Sequence, residues 1–200
     1  MINCLEKKEI KEQFFIKHVA KRWQDEVFNI DERYSKNIDE IDNSIVFKFN
    51  SVCKNALSLQ RDSLKGNIKY IYISFLRTSI MGNKAFYRID LYDENWFLDK
   101  KECSTEIDLN FIFKSLFDHM CELENIKNEY GRTITSMDID NIKFLEAGKY
   151  HVLAIEFLRS IVLRLIESSY YKEMSKDKDI CIMVGEYMDR SEILYKEEDI

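Results

Sequence analysis

Two neighbouring stretches, IKYIYISFLRTSI at Ile68–Ile80 and AFYRIDLYDENWF at Ala85–Phe97, decide the fold class. Both are dense in β-branched and aromatic residues, the types that fit a pleated, half-buried surface. Between them stand Met81, Gly82, Asn83 and Lys84, and Gly82 and Asn83 suit the positive φ of a tight turn. The pair reads as a β-hairpin. Alternation puts Ile71, Ile73 and Phe75 on one face of the first strand, with Tyr70, Tyr72, Leu76 and Ile80 on the other. On the second strand, Tyr87, Ile89 and Leu91 oppose Phe86, Arg88, Asp90 and Tyr92. A first strand that is apolar on both faces belongs inside a sheet rather than at its edge.

Upstream, Ile10, Phe14, Phe15, His18, Val19, Trp23, Val27 and Ile30 recur at helical spacing, which predicts one amphipathic helix over 4–30. Asp31–Ser44 is polar, acid-rich and weakly periodic, so a loop or short helical turn is expected there. The next segment has two readings. Ile45, Phe47 and Phe49 alternate as in a strand, whereas Val52, Cys53, Ala56, Leu57 and Gln60 suit a helix. The helical reading is preferred from about 50 to 64, with Gly66 as its stop.

Downstream, Ile107–Tyr130 carries one broad apolar stripe and ends at Gly131. A long helix is expected over 139–174, its stretch Val152–Ile166 nearly apolar all round and so central, with Gly148 marking a bend or break. Lys176–Asp179 reads as a charged turn, Ile180–Val184 as a strand and Glu192–Tyr195 as its return, before a frayed tail at Lys196–Ile200. The expectation is an α+β fold: a small antiparallel sheet of two hairpins, about 68–97 and 180–196, packed against a layer of amphipathic helices. It is read as a single domain over 1–200, with a helical N-terminal segment (1–66) and a hairpin–helix–helix–hairpin core (67–200).

Composition narrows the class. The 200 residues include 46% hydrophobic and 13% aromatic side chains, 5 Gly and no Pro, against roughly ten Pro at average usage of about 5%. Collagen-like, mucin-like and Pro-rich chains are excluded, and so much apolar bulk argues against disorder. Five scattered cysteines (Cys4, Cys53, Cys103, Cys121, Cys181) without a CxxC, behind a charged N-terminus, read as reduced thiols in a cytoplasmic protein. Val152–Ile166 is interrupted by Glu156, Arg159 and Arg164 and is too short to span a bilayer, so no membrane association is expected. The net charge is −6, and residues 105–200 hold 12 basic against 20 acidic groups. Such a surface repels phosphate backbones, and no nucleic-acid partner is expected.

Motifs for chemistry are missing: there is no GxGxxG, GxxxxGK, GxSxG or HExxH. No catalytic residue, cofactor or metal is therefore assigned, and the chain leans away from being an enzyme. His119 and Cys121 fall on opposite sides of a helix and cannot share a zinc ion. His18, on the apolar stripe, reads as a packed histidine. Glu156 with Arg159, and Arg164 with Glu167, read as intrahelical ion pairs. Arg88, Asp90 and Tyr92 share one strand face near Arg77, and the ordinary reading is cross-strand charge pairing.

Two functions fit these residues. The first is a non-catalytic cytosolic interaction or regulatory module, engaging a protein partner or a second copy of itself as a homodimer, with Trp23, Tyr70, Tyr72 and Trp96 as contact aromatics. Tyr92 belongs to the same set. The alternative is a small-molecule protein or enzyme with a pocket between sheet and helices, in which Arg77, Arg88 or Arg159, with Asp90 and Tyr92, meets an anionic ligand.

Overall fold

A computed structural model describes residues 4–197 of the chain, as α1 (Cys4–His18), α2 (Arg22–Lys36), α3 (Ile38–Arg61), β1 (Ile68–Phe75), α4 (Arg77–Met81), β2 (Phe86–Tyr92), β3 (Ser104–Asp108), α5 (Asn110–Ile126), α6 (Ser136–Ile166), α7 (Ser169–Glu173), β4 (Lys176–Glu186) and β5 (Ser191–Lys196). The fold is α+β. Its contacts group the chain into two compact units, 1–37 with 111–150, and 38–110 with 151–200. Residues 198–200 of the expected frayed tail lie outside the described residues, while Lys196 closes β5.

The helical unit contains α1, α2, most of α5 and the first half of α6. The single helix expected over 4–30 is two helices. Residues 19–21 form a turn in which the Ala20 N–H reaches back five residues to the Phe15 carbonyl (3.0 Å). That break lets Phe14 and Val19, five apart and therefore off a common helical stripe, both be buried. Phe113, Leu116, Met120 and Tyr150 of the same unit are buried as well. Polar contacts tie the helices: Arg33 donates to the Phe111 carbonyl (2.5 Å) and Ser115 Oγ (3.1 Å), and Lys11 pairs with Asp138 (2.5 Å). The acid-rich stretch 31–44, expected as a loop or short helical turn, is helical almost throughout, as the end of α2 and the start of α3, where Asp42 and Ile45 are buried three residues apart.

The second unit is built on a five-stranded sheet of order β3-β2-β1-β4-β5. The expected antiparallel sheet is found as a mixed, mostly antiparallel one. β1 pairs with β2 antiparallel but with β4 parallel. Parallel neighbours need a crossover connection, and the helical excursion between β3 and β4 supplies it. β1 is central, as its two apolar faces implied. β3 is an added edge strand, and the charged stretch 176–179 forms the irregular start of β4 rather than a turn.

One face of this sheet is aliphatic. Ile71 and Ile73 stand beside Ile89 and Leu91 on one side and Ile182 and Val184 on the other, all essentially without solvent contact. α3 packs along β2 and β3 through a buried stripe that includes Phe49, Val52, Cys53 and Ala56. Phe47 is 70% exposed, which removes the strand reading of 45–49. The helix ends at Arg61 with Ser63 in the left-handed region (φ 56°), upstream of the expected stop at Gly66.

The later half of α6 lies on the same aliphatic face, where His151 stacks on Phe75 (4.7 Å) and Arg159 pairs with Glu192 (2.6 Å). This helix is amphipathic rather than buried all round, since Val152 and Leu163 are exposed. Glu156 does pair with Arg159 (3.6 Å). Arg164, however, reaches Asp42 and Asn43 on α3, while Glu167 pairs with Lys172. Asp42 is buried and needs a countercharge more than exposed Glu167 does.

Two glycines make the packing testable. A Cβ on Gly185 would stand 2.1 Å from the Arg190 carbonyl, whereas α6 continues through Gly148 with nothing near its missing side chain. Gly185→Ala should destabilise by about 2 kcal/mol or more, and Gly148→Ala should stabilise by about 0.5–1 kcal/mol. Thermal unfolding of the two variants beside the parent checks both signs.

Candidate functional site: the aromatic face of the sheet

The opposite face of the sheet has a different chemistry. Register places Tyr70, Tyr72 and Ser74 of β1 beside Tyr92, Asp90 and Arg88 of β2, and beside Cys181, Met183 and Gly185 of β4. Ile193 of β5 continues the row of Met183 and Tyr72. A 3-10 turn, Trp96–Leu98, packs onto this face. Trp96 meets Tyr70 edge-on at 3.9 Å, and Phe97 meets Tyr92 at 5.3 Å and Tyr72 at 6.3 Å. Edge-to-face contacts of this kind add to what burial contributes.

Tyr72, Cys181 and Met183 are buried beneath this cover, while Phe97 (38%), Ile193 (54%) and Leu98 (84%) stay exposed. The result is a small second core with an apolar outer surface.

The turn is held by charge. Lys65 and Asp99 form an ion pair whose side chains are 0% and 3% exposed. Lys65 Nζ also donates to the Lys101 carbonyl (2.8 Å). Asp99 accepts from the backbone N–H of Asp93 (3.1 Å) and Lys101 (3.0 Å). Burial alone would raise the Asp99 carboxyl, but Lys65 and the two N–H groups hold it below its ordinary value. Asp93 accepts from the Asn95 backbone (2.9 Å) and side chain (3.0 Å), which makes the Asp93-Glu94-Asn95 run a turn-forming element. Within this clamp Trp96 sits at φ 55°. A bulky residue in the left-handed region is strained and persists only where its surroundings over-determine it.

Arg88 and Asp90 are an ion pair within one strand rather than across two. Arg88 Nε and Nη2 reach Asp90 Oδ1 at 2.9 and 2.8 Å, and Nη2 also reaches Glu102 (2.9 Å). Burial raises the Asp90 carboxyl above its ordinary value even with Arg88 bound. The three arginines expected to meet an anion all have carboxylate partners: Arg77 with Glu186 (2.5 Å), Arg88 with Asp90 and Glu102, and Arg159 with Glu156 and Glu192.

The structure therefore brings Tyr70, Tyr72, Arg88, Asp90, Tyr92 and Trp96 together on one face. Arg77 lies beyond the end of β1, and Arg159 lies on α6 over the aliphatic face. Trp23 belongs to the helical unit, where it packs edge-on against Tyr150 (4.8 Å). Residue type pointed to Trp96 and the tyrosines; Lys65, Asp99, Phe97 and Ile193 complete the site without any local signal of their own.

The histidines are engaged elsewhere. His18 Nε2 contacts Tyr130 Oη (2.9 Å), and His119 Nε2 donates to the His18 carbonyl (2.9 Å). His151 Nδ1 contacts the hydroxyl of fully buried Tyr87 (2.7 Å), and burial pushes its pKa down to about 4. Among the described residues no group of three or more His, Cys, Asp or Glu is placed to hold a metal ion. Cys53, Cys103, Cys121 and Cys181 are unbridged, and the Cys4 side chain lies outside the described residues.

Removing the cation of the clamp should be costly, because Asp99 would stay buried and uncompensated. Lys65→Met is expected to lose about 3 kcal/mol in chemical denaturation, with a red shift of Trp96 emission read in a Trp23→Phe background.

His151 gives a pH dependence. Above its ordinary value of 6.5 it is neutral folded and unfolded, and below that value the unfolded chain takes up a proton that the folded one refuses. Stability should therefore fall between pH 6.5 and 4, by about 1–2 kcal/mol on going from pH 7 to pH 5. Denaturation at the two pH values, with the His151 imidazole signal followed by NMR, checks the size and the assignment.

No family model, curated protein or solved structure matches this chain.

Proposed function

We propose that the chain is a cytosolic, non-catalytic interaction module whose protein partner covers the aromatic face of the sheet. The observation that carries this reading is the Trp96–Leu98 turn. A buried ion pair holds it, its tryptophan is kept in a strained conformation, and Phe97 and Leu98 remain in water beside Ile193. Strain and exposed apolar surface both cost stability, and a surface that carries both at one place has the composition of a binding patch. Tyr, Trp and Arg are the residue types that dominate binding energy at protein interfaces, and this face displays all three.

The net charge of −6 favours a separate, basic-surfaced protein over a second copy, because two chains of that charge repel one another. The unbridged cysteines and the absence, among the described residues, of a helix long and apolar enough to cross a membrane are compatible with the cytosolic setting.

Photo-crosslinking tests the reading. A benzophenone amino acid at position 97 should give a discrete cross-linked product in native cells, and one at Phe47, exposed on α3, should not. The product at position 97 should be lost with Tyr70→Ala and weakened by salt. Equal products from both positions, or none at 97, would overturn the proposal. A product that is the chain joined to itself would transfer the site to homodimerisation.

A further inference from the structure

The topology of the sheet marks a second place, at the ends of two of its strands. β1 and β4 are parallel neighbours and end together, with Phe75 in register with Glu186. From the end of β1 the chain turns through α4 to β2 on one side, and from the end of β4 it turns to β5 on the other. Where two parallel neighbours send their connections in opposite directions, neither connection covers the gap between them. Ligands of open α/β sheets lie in such gaps, beyond the carboxyl ends of the strands. The gap here is a cavity of about 430 Å³, lined by Phe75–Thr78 from one strand end and Glu186–Asp189 from the other. That volume is in the range of small-molecule sites.

The lining selects a charge. Two acidic residues, Glu186 and Asp189, and one arginine, Arg77, line the crevice. Arg77 engages Oε2 of Glu186 (2.5 Å), and Asp189 has no ion-pair partner among the described residues. Tyr187, 39% exposed, adds an aromatic ring. Carboxylates beside an accessible ring suit a cation, through ion pairing and through attraction to the ring face. An anion would have to displace Glu186 from Arg77 and then lie next to Asp189.

We propose that the crevice between the carboxyl ends of β1 and β4 binds a small organic ammonium compound, with Glu186 and Asp189 taking the charged nitrogen and Tyr187 forming the wall. Arg77 acts as a competitor for Glu186 rather than as a ligand-binding residue. The crevice differs in place and in the sign of its ligand from the anion pocket expected between sheet and helices.

The test uses n-butylammonium and butyrate as probes against the full chain, at 0.15 M salt, with backbone amide shifts as readout. Butylammonium should give saturable shifts confined to residues 75–78 and 186–189, with butyrate giving none there. Asp189→Asn should weaken the dissociation constant at least tenfold. Arg77→Ala should tighten it about threefold by releasing Glu186. Asp189 lies in a turn, so its variant should keep the amide spectrum of the parent elsewhere. Non-saturable butylammonium shifts, saturable butyrate shifts abolished by Arg77→Ala, or indifference to Asp189→Asn would each overturn the assignment. None of these outcomes bears on cross-linking at position 97, so the two proposals stand or fall separately.

Discussion

The pair of Lys65 and Asp99 is the contact on which the second face of the sheet depends. Two opposite charges removed from water are costly unless the remaining donors and acceptors are also satisfied. Here they are: Lys65 reaches a second acceptor, and Asp99 receives two backbone N–H groups. The segment 93–101 is thereby held at both ends, and Trp96 and Phe97 between them are pressed onto Tyr70, Tyr72 and Tyr92. Aliphatic packing would have covered the sheet more cheaply. The charged clamp instead sets one geometry for a strained, aromatic turn.

β1 links the two halves of this arrangement. Ile71 and Ile73 point into the helix-covered core, and Tyr72 and Ser74 point into the aromatic one, all of them buried. The parallel partner β4 does the same with Ile182 and Val184 against Cys181 and Met183. The side chains that define the aromatic face are therefore rooted in the two most enclosed strands. The crevice at the carboxyl ends of those strands follows from the same pairing, since only the parallel arrangement sends the two connections apart.

Much of this was legible in the residues. The β-branched and aromatic runs at 68–75 and 86–92 located the two central antiparallel strands, and the stripe from Ile112 to Leu123 located α5. Trp96, Tyr70, Tyr72 and Tyr92 were singled out by residue type, and alternation put Tyr92 beside Arg88 and Asp90. Other features carried no local signal. β3 is a polar edge strand, Ser-Thr-Glu-Ile-Asp, whose pairing rather than its composition makes it a strand. The helical start of α3 lies in an acid-rich stretch whose buried Asp42 is matched by Arg164, 122 residues away. Parallel pairing of β1 with β4, and the clamp between Lys65 and Asp99, likewise join residues far apart in the chain. Periodicity reports which side of an element is apolar, and it is silent on which distant element will cover it.

The most direct test of the clamp is a double-mutant cycle on its two charges, Lys65→Met, Asp99→Leu and the double variant, measured by chemical denaturation. If the pair holds the turn as a unit, each single variant leaves an unbalanced buried charge or an unfilled partner, and the double variant recovers much of the loss. The coupling energy should then be about 2 kcal/mol or more. Losses that add within about 0.5 kcal/mol would mean that the two side chains act independently. The aromatic face would then owe its shape to packing alone.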